Sequence, residues 1–410
     1  MGLVATGDWT HPLWMREIKQ DLEEMGNGLL KLKTAAPRDP LFILATEVSC
    51  IYSQAGRGRR IHTLIWVPSL DSADKINREM TRQGCNLMSD GRPIIGLSSI
   101  QVAELVLTIE PKALIIGAHI WTPWFSVFGS MSGFDSLEEA FGPYAKHIYA
   151  VETGLSSSPA MNWRIKELDN RSIVSFSDAH SGPKLGREAT VFDVPELSYE
   201  SIYQAIKQEG ASKIAYTIEF YPEEGKYHWS GHRACNIRRS PREIREKGTT
   251  CPVCGKPLTE GVEQRVSELA SRSEADLQLS VISYQLSEKT NIRMMGSKAF
   301  PNRPPYVSLV PLQEIIAECI GSPVTSPKVQ TPYRQLTDEL DGEFAVLLSA
   351  THEEIAKIAG ERIAVGMEKV RTGDIVIDPG YDGVFGVVKL WKEGEEKPLV
   401  DASREQLSIF

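Results

Sequence analysis

What the chain lacks narrows it first. No stretch of about 20 apolar residues occurs, so nothing in it is suited to span a bilayer, and the opening residues have neither the basic start nor the apolar core of a secretory signal. The expected setting is cytoplasmic, with no membrane partner. Met1-Gly2-Leu3-Val4-Ala5-Thr6 matches the myristoylation pattern, but Gly2 leads straight into an apolar strand-like run that a lipid anchor would expose, and the match reads as chance. Internal repeats and low-complexity segments are absent. So is a positive charge balance: 45 Lys and Arg against 54 Asp and Glu leave a formal net charge of −9. That argues against a protein coated all over for nucleic acid and leaves room for local basic patches. Cysteine is scarce, with six residues. Three of them, Cys235, Cys251 and Cys254, crowd together, which without an export signal reads as metal binding rather than disulfides.

The length of 410 residues and a hydrophobic share of 41% are enough for two or three domains. Residues 1–216 alternate apolar strand-like runs with amphipathic helical ones at Leu13–Met25, Asp71–Gln83, Ser99–Ile109, Ser136–Phe141 and Ser198–Gln208, with Ser136 and Glu139 in capping-box spacing. This predicts an α/β domain with a largely parallel sheet. Several of the apolar runs end in a metal-capable residue. Leu3–Thr6 leads to Asp8 and His11, Leu41–Ala45 to Glu47, Ala113–Gly117 to His119, His147–Val151 to Glu152, and Ile173–Phe176 to Asp178 and His180. Alternation along an extended chain predicts that Asp178 and His180 point to the same side. His62 lies in a β-rich run expected to pair with the Glu47 run as a hairpin. Ligands at the ends of several strands suit a barrel with its site on the carboxyl face. Carboxylate and imidazole without thiolate suit zinc, manganese or iron, and two or three such ions can clamp a phosphodiester.

Residues 217–265 form a separate unit. His232-x2-Cys235 and then Cys251-Pro-Val-Cys254-Gly-Lys-Pro have the spacing of a closed, structural zinc site, with His228 as the alternative to His232 for the fourth ligand. Two basic patches stand out. One is Arg57, Arg59 and Arg60 in a glycine-containing loop; the other is Arg233, Arg238, Arg239, Arg242, Arg245 and Lys247 beside the cysteines. Residues 266–410 read as mainly helical, with a continuous helix at Val266–Glu288, further helices at Leu312–Cys319 and Glu353–Val370, and a β-hairpin within Asp374–Trp391.

Gly-Asp-Trp-Thr-His (7–11), Thr-Glu-Val-Ser (46–49), Ile-His-Thr-Leu (61–64), Gly-Ala-His (117–119) and Ser-Asp-Ala-His (177–180) resemble the successive metal motifs of the polymerase-and-histidinol-phosphatase (PHP) domain. The longer strings at 117–125, 152–157 and 227–235 resemble the endonuclease Q family of DNA-repair nucleases. The resemblance implies a distorted seven-stranded (β/α)7 PHP-type barrel with up to three divalent ions (Zn2+, Mn2+, Fe2+ or Mg2+). It puts Asp8, Glu47, His62, His119, Asp178 and His180 at ligand positions, with His11 and Glu152 as weaker ligands. Of these, Asp8, Glu47, His119, Asp178 and His180 are expected to carry catalysis. It implies hydrolysis on the 5′ side of uracil, hypoxanthine, xanthine or an abasic site in DNA, with water activated by the ions. One departure stands out: PHP domains open with a strand bearing His-x-His, and this chain has none. The chain therefore reads as lacking the first barrel strand through truncation, with a degenerate site as the alternative. Trp121, Trp124 and Phe125 are placed to line a pocket for a base taken out of the stack. Arg238 and Arg239 are expected on the DNA backbone. Two other classes fit parts of the pattern: a small-molecule phosphoesterase, and a catalytically silent DNA-binding or scaffold protein.

Overall fold

The computed structural model describes residues 1–282, 290–395 and 398. The chain opens with β1 (Leu3–Ala5), α1 (Pro12–Asp21), β2 (Leu22–Glu24), β3 (Leu30–Leu32), β4 (Leu41–Gln54) and β5 (Arg57–Val67). β4 and β5 form one long antiparallel hairpin. Its two turn residues, Ala55 and Gly56, take φ values of 51° and 74°, the left-handed pair that lets a two-residue turn match the twist of its strands. Next come α2 (Leu70–Arg82), β6 (Ile94–Ile95), α3 (Ser99–Ile109), β7 (Leu114–Gly117), α4 (Leu137–Phe141), β8 (Ala150–Glu152), α5 (Pro159–Trp163) and β9 (Ser172–Val174).

The strands form a sheet ordered β2-β3-β4-β5-β7-β8-β9, with β1 and β6 joined in parallel to β4. β7, β8 and β9 are parallel neighbours, so their carboxyl ends share an edge. Among the described residues neither β2 nor β9 has a second strand beside it. The expected barrel is thus observed as a distorted, unclosed half-barrel. Period-two alternation sorts its side chains. Leu44, Val48 and Cys50 with Ile61, Ile65 and Val67 join a core covered by α1, α2 and α3. Ile43, Ala45, Trp66, Leu114 and Ile116 meet α6 (Tyr199–Lys207) on the other face.

Helix boundaries follow their caps. Ser69, Ser98, Ser136 and Ser198 each accept a backbone N–H at the start of a helix. Ser136 accepts from Glu139 N as its spacing predicts, but the Glu139 carboxylate turns to Asp135 N, so only half of the box forms. α1 stops at Asp21 rather than Met25, because Leu22–Glu24 pairs with β3.

A second sheet is assembled from both sides of the cysteine-rich segment. Before that segment lie β10 (Ala189–Asp193) and β11 (Lys213–Glu219). Within it are the hairpin β12 (Ser230–His232) and β13 (Ile237–Arg239), then α7 (Pro241–Lys247) and α8 (Val262–Leu269). After it come β14 (Leu279–Ile282), β15 (Met294–Ser297) and β16 (Tyr306–Ser308), giving the order β10-β11-β16-β15-β14. The continuous helix expected over Val266–Glu288 does not form. Ser273 and Asp276 exchange side-chain and backbone hydrogen bonds that compete with helical ones, and β14 follows; residues 283–288 lie outside the described residues. The C-terminal region packs α9 (Leu312–Ile320), α10 (Pro327–Glu339), α11 (Glu343–Leu348), α12 (His352–Ala359) and α13 (Glu361–Thr372) around a core of its own. The single helix expected over Glu353–Val370 is divided at Gly360, whose φ is 95°. β17 (Val376–Asp378) and β18 (Val387–Lys389) form the expected hairpin.

Two buried carboxyls link the sheets. Glu188 accepts from Leu155 N and Phe220 N, while Glu219 accepts from Thr217 Oγ1 and Ser175 Oγ. Burial raises both above the carboxylate range. The folded state therefore binds these protons more tightly than the unfolded chain. That stability is complete below the ordinary carboxylate pKa and is lost as pH climbs through the raised value. Glu219→Gln is expected to flatten the fall in melting temperature between about pH 5 and pH 8 by ~2 °C or more, read by circular dichroism.

Candidate metal centre

The register of β4 on β5 places Ser49 opposite His62 and Glu47 opposite Leu64. Glu47 and His62 are thus diagonal neighbours on one face, within reach of each other. His119 arrives from the next strand. Ala118 N donates to His62 O, extending the β5–β7 ladder past Gly117, and the chain then turns at His119 with φ 29°. Gly154 lies against His119 so closely that any Cβ there would collide with it. Three ligand atoms converge as a result. His62 Nδ1 is 2.8 Å and His119 Nε2 3.4 Å from Glu47 Oε1, and the two nitrogens are 3.1 Å apart. Ligands about 2.0–2.2 Å from one ion are separated by roughly 3.0–3.5 Å in octahedral or tetrahedral geometry, so these atoms fit around a divalent cation. Burial alone would raise the Glu47 carboxyl, but hydrogen bonds from His119 and His62 outweigh it and hold the group far below its ordinary range. Burial likewise opposes charge on His119, whose pKa is nonetheless raised by Glu47.

The other expected ligands surround this triad without joining it. Asp8, at φ 47°, lies near enough to feel the Glu47 charge, and burial first, then Asp90 and Glu47, raise its pKa. His11 caps α1, its backbone N–H donating to Asp8 O. Glu152 is buried and accepts from His119 N at 2.8 Å, bracing that residue's backbone; burial pushes its carboxyl up to about 8. Asp178 raises both the His119 and Glu152 pKa values electrostatically. Asp178 and His180 are not aligned by strand alternation as expected, although His180 Nδ1 does lie 3.8 Å from Asp178 Oδ1. β9 ends at Val174, Asp178 turns with φ 43°, and His180 folds back with Nδ1 3.0 Å from Asp178 O, its side chain 70% exposed. Two residues that sequence reasoning missed complete the surroundings. Thr122 Oγ1 is 3.0 Å from His119 Nδ1, and Arg92 Nη1 is 3.4 Å from each Glu47 oxygen. The Gly-Ala-His-Ile-Trp-Thr string signalled the first; nothing local signalled the second.

The second cluster is His232, Cys235, Cys251 and Cys254, whose ligand atoms all lie within 4.8 Å of one another. β12 delivers His232, and the turn after it delivers Cys235. In the knuckle, Cys251 N donates to Lys256 O and Gly255 N to Cys251 O, with Gly255 at φ 73°. Burial raises the Cys251 thiol, but the Cys254 and Val253 amides overcome this and lower it, as suits a thiolate ligand. Of the two histidines, it is His232 that lies with the three cysteines. His228 is buried elsewhere, its Nε2 3.7 Å from Glu263 Oε2.

Comparison with known proteins places this geometry. The crystal structure of the lesion-specific endonuclease PfuEndoQ from Pyrococcus furiosus superposes with a TM-score of 0.79 at 29% identity, covering 98% of this chain and 90% of that one. Endonuclease Q bound to a 27-mer duplex with an abasic lesion at its active site superposes with a TM-score of 0.76 at 29% identity, covering 96% and 89%. The uncharacterized protein YqxK of Bacillus subtilis is 30% identical over 358 residues, 86% of this chain and 79% of its own length. The chain belongs to the endonuclease Q family. The uncharacterized protein MJ0043 of Methanocaldococcus jannaschii is 31% identical over 278 residues, 66% of this chain but 31% of that protein. Residues 311–374, from the start of α9 to just past α13, match the family described as the MJ0043 C-terminal domain.

Within this endonuclease Q framework the aromatic and arginine expectations divide. Trp121 is fully buried, its Nε1 donating to Asn162 Oδ1, and so is core rather than pocket lining. Phe125 packs on the His62 ring at 4.8 Å and also carries the Arg60 guanidinium 5.6 Å from its centroid, and Trp124 meets Tyr227 edge-on. Arg239 is buried and donates to the carbonyls of Lys247, Gly248 and Thr250, so it holds the knuckle rather than presenting itself to phosphate. Arg238 is paired with Asp378 at 2.5 Å.

Cys254→Ser is expected to lower bound metal by about one ion per chain and to loosen the 217–265 unit, because such sites fold through their metal. His228→Ala should leave the metal count unchanged. Elemental analysis of both variants checks the assignment.

Proposed function

We propose that the chain is a metal-dependent endonuclease that hydrolyses DNA on the 5′ side of a deaminated base (uracil, hypoxanthine or xanthine) or an abasic site. One observation carries this reading: a largely buried ligand triad, with Glu47 and His62 midway along β4 and β5 rather than at strand ends and His119 just past β7, sits in a fold that matches a lesion-specific endonuclease over nearly its whole length. Asp8, Asp178 and His180, from the loops around the triad, complete the ligand shell in this proposal. Zn2+, Mn2+, Fe2+ or Mg2+ held there would polarise the phosphodiester and lower the pKa of water. The Cys3His cluster is read as structural Zn2+.

The protein's own groups supply orientation. Thr122 and Glu152 fix the ring and backbone of His119. Burial around Glu47 keeps competing water from its carboxylate. Arg60 is exposed and flanks the centre through the Arg60–Phe125–His62 contacts, while exposed Arg57 stands at the tip of the β4–β5 hairpin; both suit the DNA backbone. Trp124 and Phe125 form the rim against which a displaced base would stack.

The test compares metal-loaded protein on duplexes bearing uracil, hypoxanthine or an abasic site, on undamaged duplex, and on a bare phosphomonoester. Nicking confined to damaged duplex is expected; turnover of the phosphomonoester alone would assign a small-molecule phosphoesterase instead. His119→Ala and Asp178→Asn are each expected to lower nicking by more than about 100-fold, beyond the usual cost of losing an outer-shell partner, with melting behaviour retained. Replacing Arg57 and Arg60 by alanine should flatten the dependence of log affinity on log salt by about 0.9 for each phosphate that is no longer neutralised, measured by fluorescence anisotropy.

A further inference from the structure

We propose that Arg92 is a catalytic residue that binds the scissile phosphate, an inference that rests on the phosphodiesterase reading above. Its backbone is held on every side. Ser49 N donates to Pro93 O as β6 joins β4, and Arg92 N donates to Asp90 Oδ1. Thr10 Oγ1 donates to Gly91 O, and the Asp8 carboxylate lies where a Cβ at Gly91 would be, so any larger residue there would displace that carboxylate. The turn 89–93 is thereby fixed over the Glu47 triad. Among the described residues the Arg92 guanidinium makes no ion pair shorter than 3.4 Å. Arg92 Nη1 stands 3.4 Å from both Glu47 oxygens, longer than the ~2.7–2.9 Å of a tight charge-assisted bond. Glu47 is already served by His62 at 2.8 Å. About a third of the Arg92 side chain is exposed, 32% against 15% for Glu47.

An arginine anchored by its main chain, loosely held by a metal-ligating carboxylate and partly open to solvent suits an anion such as phosphate that offers two oxygens to its planar fork. When Glu47 shares its charge with a cation, its hold on Arg92 weakens and the guanidinium fork is released toward a non-bridging phosphate oxygen. In the hydrolysis one P–O bond forms from water and one ester P–O bond breaks; the departing ester oxygen takes that bond's electron pair and is protonated to the alcohol, while the attacking water gives up its proton to solvent. Arg92 neither gives nor takes a proton; it stabilises charge on the non-bridging oxygens as the reaction proceeds.

The experiment compares metal-loaded wild type, Arg92→Ala and Arg92→Lys in three readouts: metal content, calorimetric binding of inorganic phosphate, and nicking of an abasic duplex. Arg92→Ala is expected to keep its metal, bind phosphate at least about 10-fold more weakly, and nick ~100–1,000-fold more slowly. Arg92→Lys, with the charge but not the fork, should recover only part of each loss. Unchanged phosphate binding in Arg92→Ala overturns the proposal, as does loss of metal in both variants, which would make Arg92 a brace for Glu47. If wild type fails to nick damaged DNA while Arg92→Ala still loses phosphate binding, the nuclease reading falls and the role of Arg92 stands.

Discussion

A carboxylate removed from water must find replacement partners or take up a proton. Glu47 resolves this with two imidazoles, and much of the surrounding architecture supports that arrangement. The β4–β5 register sets the diagonal that brings His62 within 2.8 Å. The ladder from β5 to β7 carries the chain to His119, and the turn there is accommodated by Gly154 and tied by Glu152. Left-handed backbone at Asp8, His119, Phe125 and Asp178 gathers around the same point. Such conformations cost about 1–3 kcal/mol each and persist where the surroundings enforce them. The site is therefore the place where the fold concentrates local strain, and the rigid hairpin beneath it is what withstands it.

Arginine serves mainly as internal scaffolding outside the site. Arg239 closes the end of α7 and the knuckle through three carbonyls. Arg265 donates to the carbonyls of Phe128 and Phe134, clamping the loop that follows His119 onto α8. Arg272 and Arg303 meet at Asp169, whose carboxyl stays low because their charges outweigh the burial that would raise it. These interactions tie the cysteine-rich unit and the second sheet to the half-barrel.

Patterns with a short physical range were legible from the residues. The β-rich run around His62 announced its pairing with the Glu47 strand, and the Ser136–Glu139 spacing announced the start of α4. The Cys-x2-Cys knuckle with His232 and Cys235 was legible because a closed site needs a fixed spacing. What failed depended on distant partners. A run of basic residues does not disclose that Arg239 donates to the carbonyls of Lys247, Gly248 and Thr250, nor that Arg238 is paired with Asp378. The Val266–Glu288 periodicity could not reveal that residues after Ala275 would be recruited as an edge of the second sheet. The side-chain directions of Asp178 and His180 were lost for a related reason: the strand ends four residues before Asp178, and Arg187 holds the loop by the carbonyls of Ser177 and Asp178.

The loop between β17 and β18 folds over the cysteine-rich unit. Trp229 N donates to Gly380 O, Arg233 N and Thr259 Oγ1 donate to the two oxygens of Asp382, and Tyr381 Oη donates to Asn236 Oδ1. The unit is thus buckled in place by chain about 150 residues downstream, rather than hanging from the half-barrel as a detachable finger. Loosening of the cysteine-rich unit would therefore also strip the β17–β18 loop of these partners. An excised fragment ending after residue 265 would lose the clasp that keeps its four ligands in register.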